Sequence, residues 1–258
     1  MNYLISAVTD AGIVRENNED CVMVQEFQTS IGSVVLAVLC DGMGGLSHGD
    51  VASSFVVRRF QEWGRTELSV LCQSGIQDGR IRKEWESLVD ECNAAIRGYG
   101  TEHGIQLGTT LVAFLLTPYR FYILNIGDSR AYEITDQYAQ QLTEDQSFVN
   151  REVKSGRITK EQAKTDARRN ILLQCIGVKA EVIGDFYFGT PKPEATYILC
   201  SDGFYHEITT EEMVARLGSG QIMDCSEMDK RARYLFEMNK YRGEKDNMTV
   251  AMVRTWGD

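Results

Sequence analysis

Strand-like runs dominate this chain and follow one another along it, with few helix-length segments between them. Each run alternates apolar and polar residues or is rich in β-branched residues, a pattern that is typical of β-strands. The runs lie at about residues 3–9, 21–28, 33–40, 109–117, 120–126, 130–135, 181–189, 195–201 and 247–254. This succession predicts an α+β fold in which two antiparallel sheets pack together with helices outside, and it argues against a doubly wound sheet.

Helical periodicity is confined to a few segments. Two apolar stripes in the first half of the chain predict a pair of helices packed on the core: Ala52, Val56, Phe60 and Trp63, then Ile81, Trp85, Leu88, Val89, Cys92 and Ile96. Later helix starts are predicted where Thr or Ser is followed three residues on by Gln, Glu or Asp, the spacing of a capping box. These starts are Thr143, Thr159, Thr209 and Ser226, and the last helix is predicted to end near Gly243.

Length and composition favour one compact domain over residues 1–258, because 43% of the residues are hydrophobic and no linker-like segment is present. The 7 cysteines include no Cys-x-x-Cys pair, which argues against a disulfide framework and a thiolate metal site. No segment approaches the roughly 20 apolar residues of a membrane span, so a cytoplasmic protein is predicted. A net charge of −10 argues against nucleic acid as a partner, and a monomer is expected.

Acidic residues stand at the ends of several strand-like runs. The run at 34–39, for example, leads into Asp41-Gly42-Met43-Gly44-Gly45, which places a carboxylate beside nearly bare backbone. The acids at run ends are Glu19, Asp20, Asp41, Asp128, Asp202 and Asp246. Taken alone, Asp-Gly after an extended run also indicates a hairpin turn. The rest of the chain must therefore decide between a turn and a ligand site.

If these strand ends converge, the carboxylates need cations. Two carboxylates about 4 Å apart repel by roughly 4 kcal/mol at an effective dielectric constant near 20, so four or five of them could not remain ionised unaided. Oxygen-only ligands favour Mg²⁺ or Mn²⁺ over Zn²⁺. His48, His103 and His206 show no paired metal-ligand spacing, which agrees with that choice.

Seven short motifs occur in the order seen in the metal-dependent serine/threonine protein phosphatases of type 2C, and the chain resembles the bacterial branch of that family. They span nearly the whole sequence. The motifs are Arg15-x-x-Asn18-Glu19-Asp20, Asp41-Gly-Met-Gly-Gly45, Gly108-Thr-Thr110, Asn125-Ile-Gly-Asp-Ser-Arg130, Leu142-Thr-x-Asp145, Ser201-Asp-Gly203 and Asp246-Asn247-Met-Thr249.

The resemblance implies a four-layer αββα fold, a β-sandwich flanked by two pairs of helices, with a binuclear Mg²⁺ or Mn²⁺ centre at one end. By resemblance, Asp41 bridges the two ions, and Glu19 and the carbonyl group of Gly42 hold one of them. Asp202 and Asp246 hold the other ion.

Further roles follow from the same resemblance. Asp128, with Asp202, corresponds to a weaker third metal site, and Asp20 is an outer-shell acid. Asn247 is expected to support its strand end. Arg15 corresponds to the phosphate-binding arginine, whose planar guanidinium suits bidentate contact with phosphate oxygens.

The activity implied by resemblance is hydrolysis of phosphoserine and phosphothreonine in proteins by direct attack of a metal-bridging water, with no phosphoenzyme. Phosphoprotein substrates and a cognate Ser/Thr kinase are the implied partners. Two alternatives stay open: a phosphatase dedicated to one regulatory protein, as in relatives that control sigma-factor cascades, and a non-catalytic phosphoprotein-binding member. The intact acids Glu19, Asp41, Asp202 and Asp246 argue against the second alternative.

The chain departs from the family pattern at the proton donor. Met43 stands where many eukaryotic relatives carry histidine, and Leu46 stands where bacterial relatives often do. His48 is a candidate acid or phosphate contact, and the alternative is a partly exposed histidine at a helix start. In the Leu-Thr-x-Asp-His-Ser motif of the family, the histidine is Gln146 here.

A segment at about 147–170 resembles the flap of the family, a variable lid near the active site that influences substrate choice. The usual His-Pro is Asp166-Ala167 here, and a Thr-Arg common further on is Leu173-Gln174. Arg168-Arg169 is either a contact for acidic substrates or an ordinary solvated turn.

Overall fold

The computed structural model describes residues 1–44 and 48–257. Within these residues eleven strands form, and all paired strands are antiparallel. The strands are β1 (Asn2–Asp10), β2 (Asp20–Thr29), β3 (Gly32–Gly44), β4 (Leu107–Thr109), β5 (Leu111–Leu116), β6 (Phe121–Ile126), β7 (Arg130–Ile134), β8 (Ala139–Gln141), β9 (Asp185–Gly189), β10 (Ala195–Cys200) and β11 (Met248–Trp256).

The helices fall into three groups along the chain. They are α1 (Gly49–Thr66), α2 (Leu68–Ser74), α3 (Asp78–His103), α4 (Phe148–Lys154), α5 (Lys160–Thr165), α6 (Asp202–Tyr205), α7 (Thr210–Leu217) and α8 (Cys225–Arg242), with a 3₁₀ turn at Ser219–Gln221. Among the described residues, none of these helices is both long and apolar enough to cross a membrane.

The strands form two sheets. One has the order β1-β11-β10-β7-β8, and the other has the order β2-β3-β5-β6-β9 with β4 added alongside β3. Apolar residues between the sheets, such as Phe114, Tyr197 and Val253, form the central core. The predicted antiparallel sandwich is confirmed.

Helices cover the outer face of each sheet. Both predicted stripes of α1 and α3 pack on the second sheet, in a core that contains Phe60 and Trp85. Helices α7 and α8 pack on the first sheet through residues such as Met213 and Phe236. The four layers of the predicted fold are therefore present.

Element boundaries differ from the prediction in a few places. The predicted strand at 109–117 is two strands, because Leu107–Thr109 pairs with the last residues of β3 while Leu111–Leu116 pairs with the earlier part of β3. The predicted strand at 181–189 begins only at Asp185. The three-residue strand β8 is too short to show periodicity, so it was not predicted.

Two of the four predicted capping boxes are confirmed. Thr159 and Thr209 each cap a helix with the reciprocal side-chain bonds of a box. The capping box predicted at Thr143 is wrong, because the buried hydroxyl of Thr143 accepts the backbone N–H of Ala131. Ser226 is also wrong, because the side chain of Asp224 caps α8 instead. Helix α8 ends at Gly243 in the left-handed conformation, as predicted.

Replacing Gly98 with alanine is expected to raise the free energy of unfolding by about 0.5–1 kcal/mol, since glycine in a helix interior costs backbone entropy. Gly98 is exposed within α3, and an added Cβ would meet no atom within 4 Å. Urea denaturation would measure the gain. Gly100→Ala is the control, because its Cβ would lie 2.8 Å from the carbonyl oxygen of Ile105. A gain in the control, or a loss in Gly98→Ala, would contradict the prediction.

Candidate metal centre

The acids predicted from strand ends do come together at one end of the sandwich. Asp20 and Asp41 are directly opposite each other in the β2–β3 pair. Asp202 follows β10 and Asp246 precedes β11, and these two strands are neighbours in the other sheet. Each of Asp20, Asp202 and Asp246 acts electrostatically on Asp41. The site is thus shared between both sheets.

Threonines from the Gly-Thr-Thr motif hold the backbone of Asp41. The amide N–H of Asp41 donates to Oγ1 of Thr110 at 2.9 Å. Its carbonyl oxygen accepts the N–H of Thr110 and the hydroxyl of Thr109, both at 2.9 Å. Thr110 in turn bonds the hydroxyl of buried Ser129 at 2.7 Å. These bonds fix the direction in which the Asp41 carboxylate leaves the strand.

A close approach of two glycines links Glu19 to the start of α1. The N–H of Gly42 donates to the Glu19 carbonyl oxygen at 3.1 Å, and the N–H of Gly49 donates to Oε1 of Glu19 at 2.9 Å. A Cβ on Gly42 would lie 2.5 Å from both the Glu19 carbonyl oxygen and the Gly49 carbonyl carbon. Only glycine fits here without moving the backbone of Glu19.

Asn247 ties the start of β11 to the β1–β2 loop. Its side-chain oxygen accepts the N–H of Glu19 at 2.9 Å, and its side-chain nitrogen donates to the carbonyls of Ala11 and Asn17. Gly12, at φ +79°, passes so close to Asp246 that a Cβ would lie 2.5 Å from the Asp246 carbonyl oxygen. The support of the strand end by Asn247 is therefore visible as hydrogen bonds.

Asp20 lies opposite Asp41, and one of its two carboxylate oxygens has no hydrogen-bond partner among the described residues. Its Oδ2 accepts the hydroxyl of Ser201 at 2.8 Å. Its buried Oδ1 has no hydrogen-bond partner among the described residues. Gly203, directly after Asp202, allows α6 to approach the start of β11, since a Cβ there would collide with the carbonyl oxygen of Asn247.

Asp128 lies in the turn between β6 and β7, close to the half-buried guanidinium of Arg130. The hydroxyl of Tyr205 donates to the Asp128 carbonyl oxygen at 3.1 Å. The Arg130 guanidinium lies 3.5 Å from the centroid of the Tyr205 ring and forms bidentate hydrogen bonds with Asp145 at 2.8 and 2.7 Å. The side-chain oxygen of Gln146 accepts the N–H of Gly127, and the backbone N–H of Gln146 donates to the Gly127 carbonyl oxygen.

Burial and mutual repulsion raise the pKa values of these carboxyl groups. The pKa of Asp41 is well above its usual value because of desolvation, followed by the charges of neighbouring acids. Desolvation, together with the charges of nearby acids, raises the pKa of Asp20 to about 7 and that of Asp128 to about 8. The pKa of Asp202 is also raised by desolvation, against the opposing effect of His206. The cluster therefore favours protons or other cations.

The residues fit a hard divalent cation by donor type. All of the gathered donors are oxygens, which suits Mg²⁺ or Mn²⁺, and the unpartnered Oδ1 of Asp20 adds a buried acceptor. Among residues 1–44 and 48–257, no three His, Cys, Asp or Glu side chains are close enough to hold an ion as they stand. Two of the acids are engaged in other hydrogen bonds. The Glu19 carboxylate accepts the N–H of Gly49, and the Asp246 carboxylate accepts a bond from Arg15. Coordination thus requires side-chain rotation.

Arg15 lies at the rim of the site. Its Nη2 donates to Oδ2 of Asp246 at 2.9 Å, and the side chain is 53% exposed. This hydrogen bond, with the charges of nearby acids, raises the Arg15 pKa. The guanidinium is therefore accessible from solvent, but in this conformation it neutralises a carboxylate.

His48 precedes the first residue of α1, is partly exposed and caps no backbone group with its side chain. This position agrees with the interpretation as a helix-start histidine, and nothing in it supports an acid role. Met43 pairs with Gly108 across β3 and β4. Gly45 and Leu46, on which the glycine motif and the missing histidine depend, lie outside the described residues.

The flap-like segment begins at an isolated bridge between Ser147 and Leu172 and contains α4 and α5. Arg168 forms bidentate bonds with Asp166 and lies 4.5 Å from the centroid of the Phe148 ring. Of the two interpretations of Arg168-Arg169, the local turn agrees better with these contacts.

Two residues near the site were not predicted from the sequence. His206 places Nε2 at 3.8 Å from Oδ2 of Asp202, and Glu244 bonds the backbone of Asp246. The spacing of four residues between Asp202 and His206 could have indicated the first contact. Nothing in the sequence indicated that Glu244 faces His206.

Comparison with known proteins gives matches over nearly the whole chain. A family model for protein phosphatase 2C matches residues 15–238. The serine/threonine phosphatase Stp of Listeria welshimeri is 35% identical over 247 residues, which cover 95% of this chain and 93% of that protein.

Solved structures with the same fold include the S. agalactiae serine/threonine phosphatase, with a TM-score of 0.85, 28% identity, and coverage of 98% of this chain and 100% of that one. The catalytic domain of the phosphatase PstP in complex with two manganese ions has a TM-score of 0.79 and 30% identity, and covers 99% of this chain and 100% of that one.

Proposed function

Because the chain belongs to the protein phosphatase 2C family, we propose that it is a metal-dependent phosphatase that hydrolyses phosphoserine and phosphothreonine in proteins. The single observation that carries this proposal is the gathering of Asp41 with Asp20, Asp128, Asp202 and Asp246 where the ends of both sheets meet. Such a concentration of carboxylates suits a centre with more than one divalent cation.

We assign the metal ligands as follows. Asp41 would contribute to the binding of both ions, Glu19 and the Gly42 carbonyl would hold one of them, and Asp202 with Asp246 would hold the other. The support is positional: Gly42 and Glu19 are joined by a backbone hydrogen bond, and Asp202 and Asp246 flank neighbouring strands. Asp128 with Asp202 is proposed as a third site, and Asp20 and Asn247 act from outside the coordination shell.

The ions, when bound, supply a nucleophile at neutral pH and neutralise charge on the phosphoryl oxygens. The residues of the chain bind and orient the substrate. Arg15, released from Asp246, presents its planar guanidinium to two phosphate oxygens. The exposed position of Arg15 and its flanking loop, pinned by Asn247, support this role. Rigid positioning of Asp41 by Thr109 and Thr110 aligns the centre with the phosphate.

Several finer proposals accompany this function. We propose two ions, Mn²⁺ or Mg²⁺, with weaker occupancy of a third site. The PstP catalytic domain, solved in complex with two manganese ions, supports the number two. A single catalytic domain with a flap at about 147–170, a monomeric state, a cytoplasmic location and a cognate Ser/Thr kinase are proposed with it. A phosphatase dedicated to one regulatory protein is a narrower form of the same function. A non-catalytic member finds no support in a site that keeps Glu19, Asp41, Asp202 and Asp246.

Hydrolysis of a phosphothreonine peptide in ¹⁸O-labelled water would test the proposed function. With Mn²⁺ present, the protein is expected to release inorganic phosphate that carries one solvent oxygen after a single turnover, because the P–O bond of the ester breaks rather than the C–O bond. Acid quenching during turnover is expected to find no phosphorylated protein. A phosphotyrosine peptide of the same sequence serves as the control substrate. A trapped phosphoenzyme, or the lack of any turnover with Mn²⁺, would contradict the proposal.

A further inference from the structure

Glu244 links the end of α8 to the start of β11. Its Oε1 accepts the backbone N–H groups of Lys245 at 2.7 Å and of Asp246 at 2.9 Å. Its own N–H donates to the carbonyl of Asn239, one turn back in α8, at 3.0 Å. The side chain is only 10% exposed. One carboxylate thus closes the turn that presents Asp246.

His206 connects this turn to Asp202. The second oxygen of Glu244 lies 3.3 Å from Nδ1 of His206, and Nε2 of His206 lies 3.8 Å from Oδ2 of Asp202. The imidazole also packs edge-to-face on Tyr205, with ring centroids 5.2 Å apart. A continuous chain of contacts therefore runs from the backbone of Asp246 through Glu244 and His206 to Asp202.

These contacts join two segments that no strand pairing aligns directly. Asp202 begins α6, while Asp246 precedes β11, so neither side chain is in the β10–β11 register. Two ligands of one ion must keep a fixed separation, because coordination distances tolerate only a few tenths of an ångström.

We propose that Glu244 and His206 are positioning residues that hold Asp202 and Asp246 at the separation required by one shared divalent ion. The proposal rests on the proposed function only for the assignment of those two acids to one ion. Outer-shell partners of metal ligands affect metal affinity by about 10–100-fold. Glu244 accepts the backbone N–H of Asp246, and His206 lies 3.8 Å from the Asp202 carboxylate.

Isothermal titration with Mn²⁺ would test this role directly. Glu244→Ala and His206→Ala are each expected to raise the Mn²⁺ Kd by about 10-fold or more. Glu244→Gln is expected to stay near the wild-type Kd, because its amide oxygen can still accept the N–H of Asp246. The double variant is expected to bind no more weakly than the weaker single variant, since both changes break one chain of contacts.

Glu212→Ala is the matched control. Glu212 pairs bidentately with Arg242, two residues before Glu244, at 2.8 and 2.6 Å, and it touches neither Asp202 nor Asp246. Its loss is expected to lower Tm without changing the Mn²⁺ Kd. Circular dichroism would show whether each variant folds. If Glu244→Ala does not fold, His206→Ala provides the test.

Several results would overturn the proposal. These are a wild-type Kd in both Glu244→Ala and His206→Ala, an equal loss of affinity in Glu212→Ala, or a failure of Glu244→Gln to bind better than Glu244→Ala. The binding readout is independent of catalysis. If wild type binds Mn²⁺ and the variants weaken it while no phosphopeptide is hydrolysed, then the proposed function fails and this inference stands.

Discussion

Asp41→Asn is expected to lower kcat for phosphothreonine-peptide hydrolysis by at least about 10³-fold, because a metal ion contributes several kcal/mol of transition-state stabilisation. Asparagine keeps the shape of the side chain and the backbone bonds to Thr109 and Thr110, so the change removes charge rather than structure. Steady-state assays at saturating Mn²⁺ would measure the loss. Activity within tenfold of wild type would refute the assignment of Asp41.

Two controls separate loss of metal from loss of fold. Asp50→Asn changes an exposed acid in the first turn of α1 and is expected to leave kcat unchanged. Wild type treated with EDTA is expected to lose activity and to recover it when Mn²⁺ is restored.

Asp41→Asn is expected to harm activity but not stability, and thermal denaturation in EDTA would measure its Tm. Burial and neighbouring acids raise the folded-state pKa of Asp41. Between its unfolded and folded pKa values the native state binds more protons, so its contribution to stability falls as pH rises. Asp41→Asn is therefore expected to match or exceed the Tm of wild type at neutral pH while losing activity.

Gly42→Ala is expected to lower kcat/KM by about 10²-fold, since a misplacement of about 1 Å can cost that much. The added Cβ would lie 2.5 Å from the carbonyl oxygen of Glu19 and from the carbonyl carbon of Gly49. Neither is the end of a flexible side chain, so the strand, the Glu19 backbone or the start of α1 must shift. Assays with the phosphothreonine peptide, with Mn²⁺ titration, would measure the effect.

Gly79→Ala is the matched control for Gly42→Ala, because its Cβ would meet no atom within 4 Å. It is expected to keep wild-type activity. If Gly42→Ala kept activity and Mn²⁺ affinity within threefold of wild type, the close approach of Gly42 and Gly49 would not govern the site.

The sequence predicted the layers well because periodicity reports burial. The stripe from Ala52 to Trp63 faces the core as expected, and the acids at strand ends meet because strand ends of packed sheets share an edge. Local spacing failed where a tertiary contact took the side chain. Thr143 has the spacing of a helix cap, but its hydroxyl serves the Ala131 amide across a turn.

Contacts between distant residues explain what could not be predicted at the site. Glu244 and His206 are 38 positions apart, and their contact depends on where α8 and α6 end. The Arg15–Asp246 pair, 231 positions apart, likewise has no local signal. The sequence therefore indicated that oxygen atoms would line the site, but it did not indicate which residues would contact the acids.

Asn247 bonds the carbonyl of Ala11, 236 residues away, and the N–H of Glu19. The acids near the start of the chain thus lie beside those near its end where β1 pairs with β11. Closing so long a loop costs the most chain entropy of any pairing in the fold, and such pairings slow folding. We therefore expect the metal centre to assemble late in folding, once Asp202 and Asp246 can join Glu19 and Asp41.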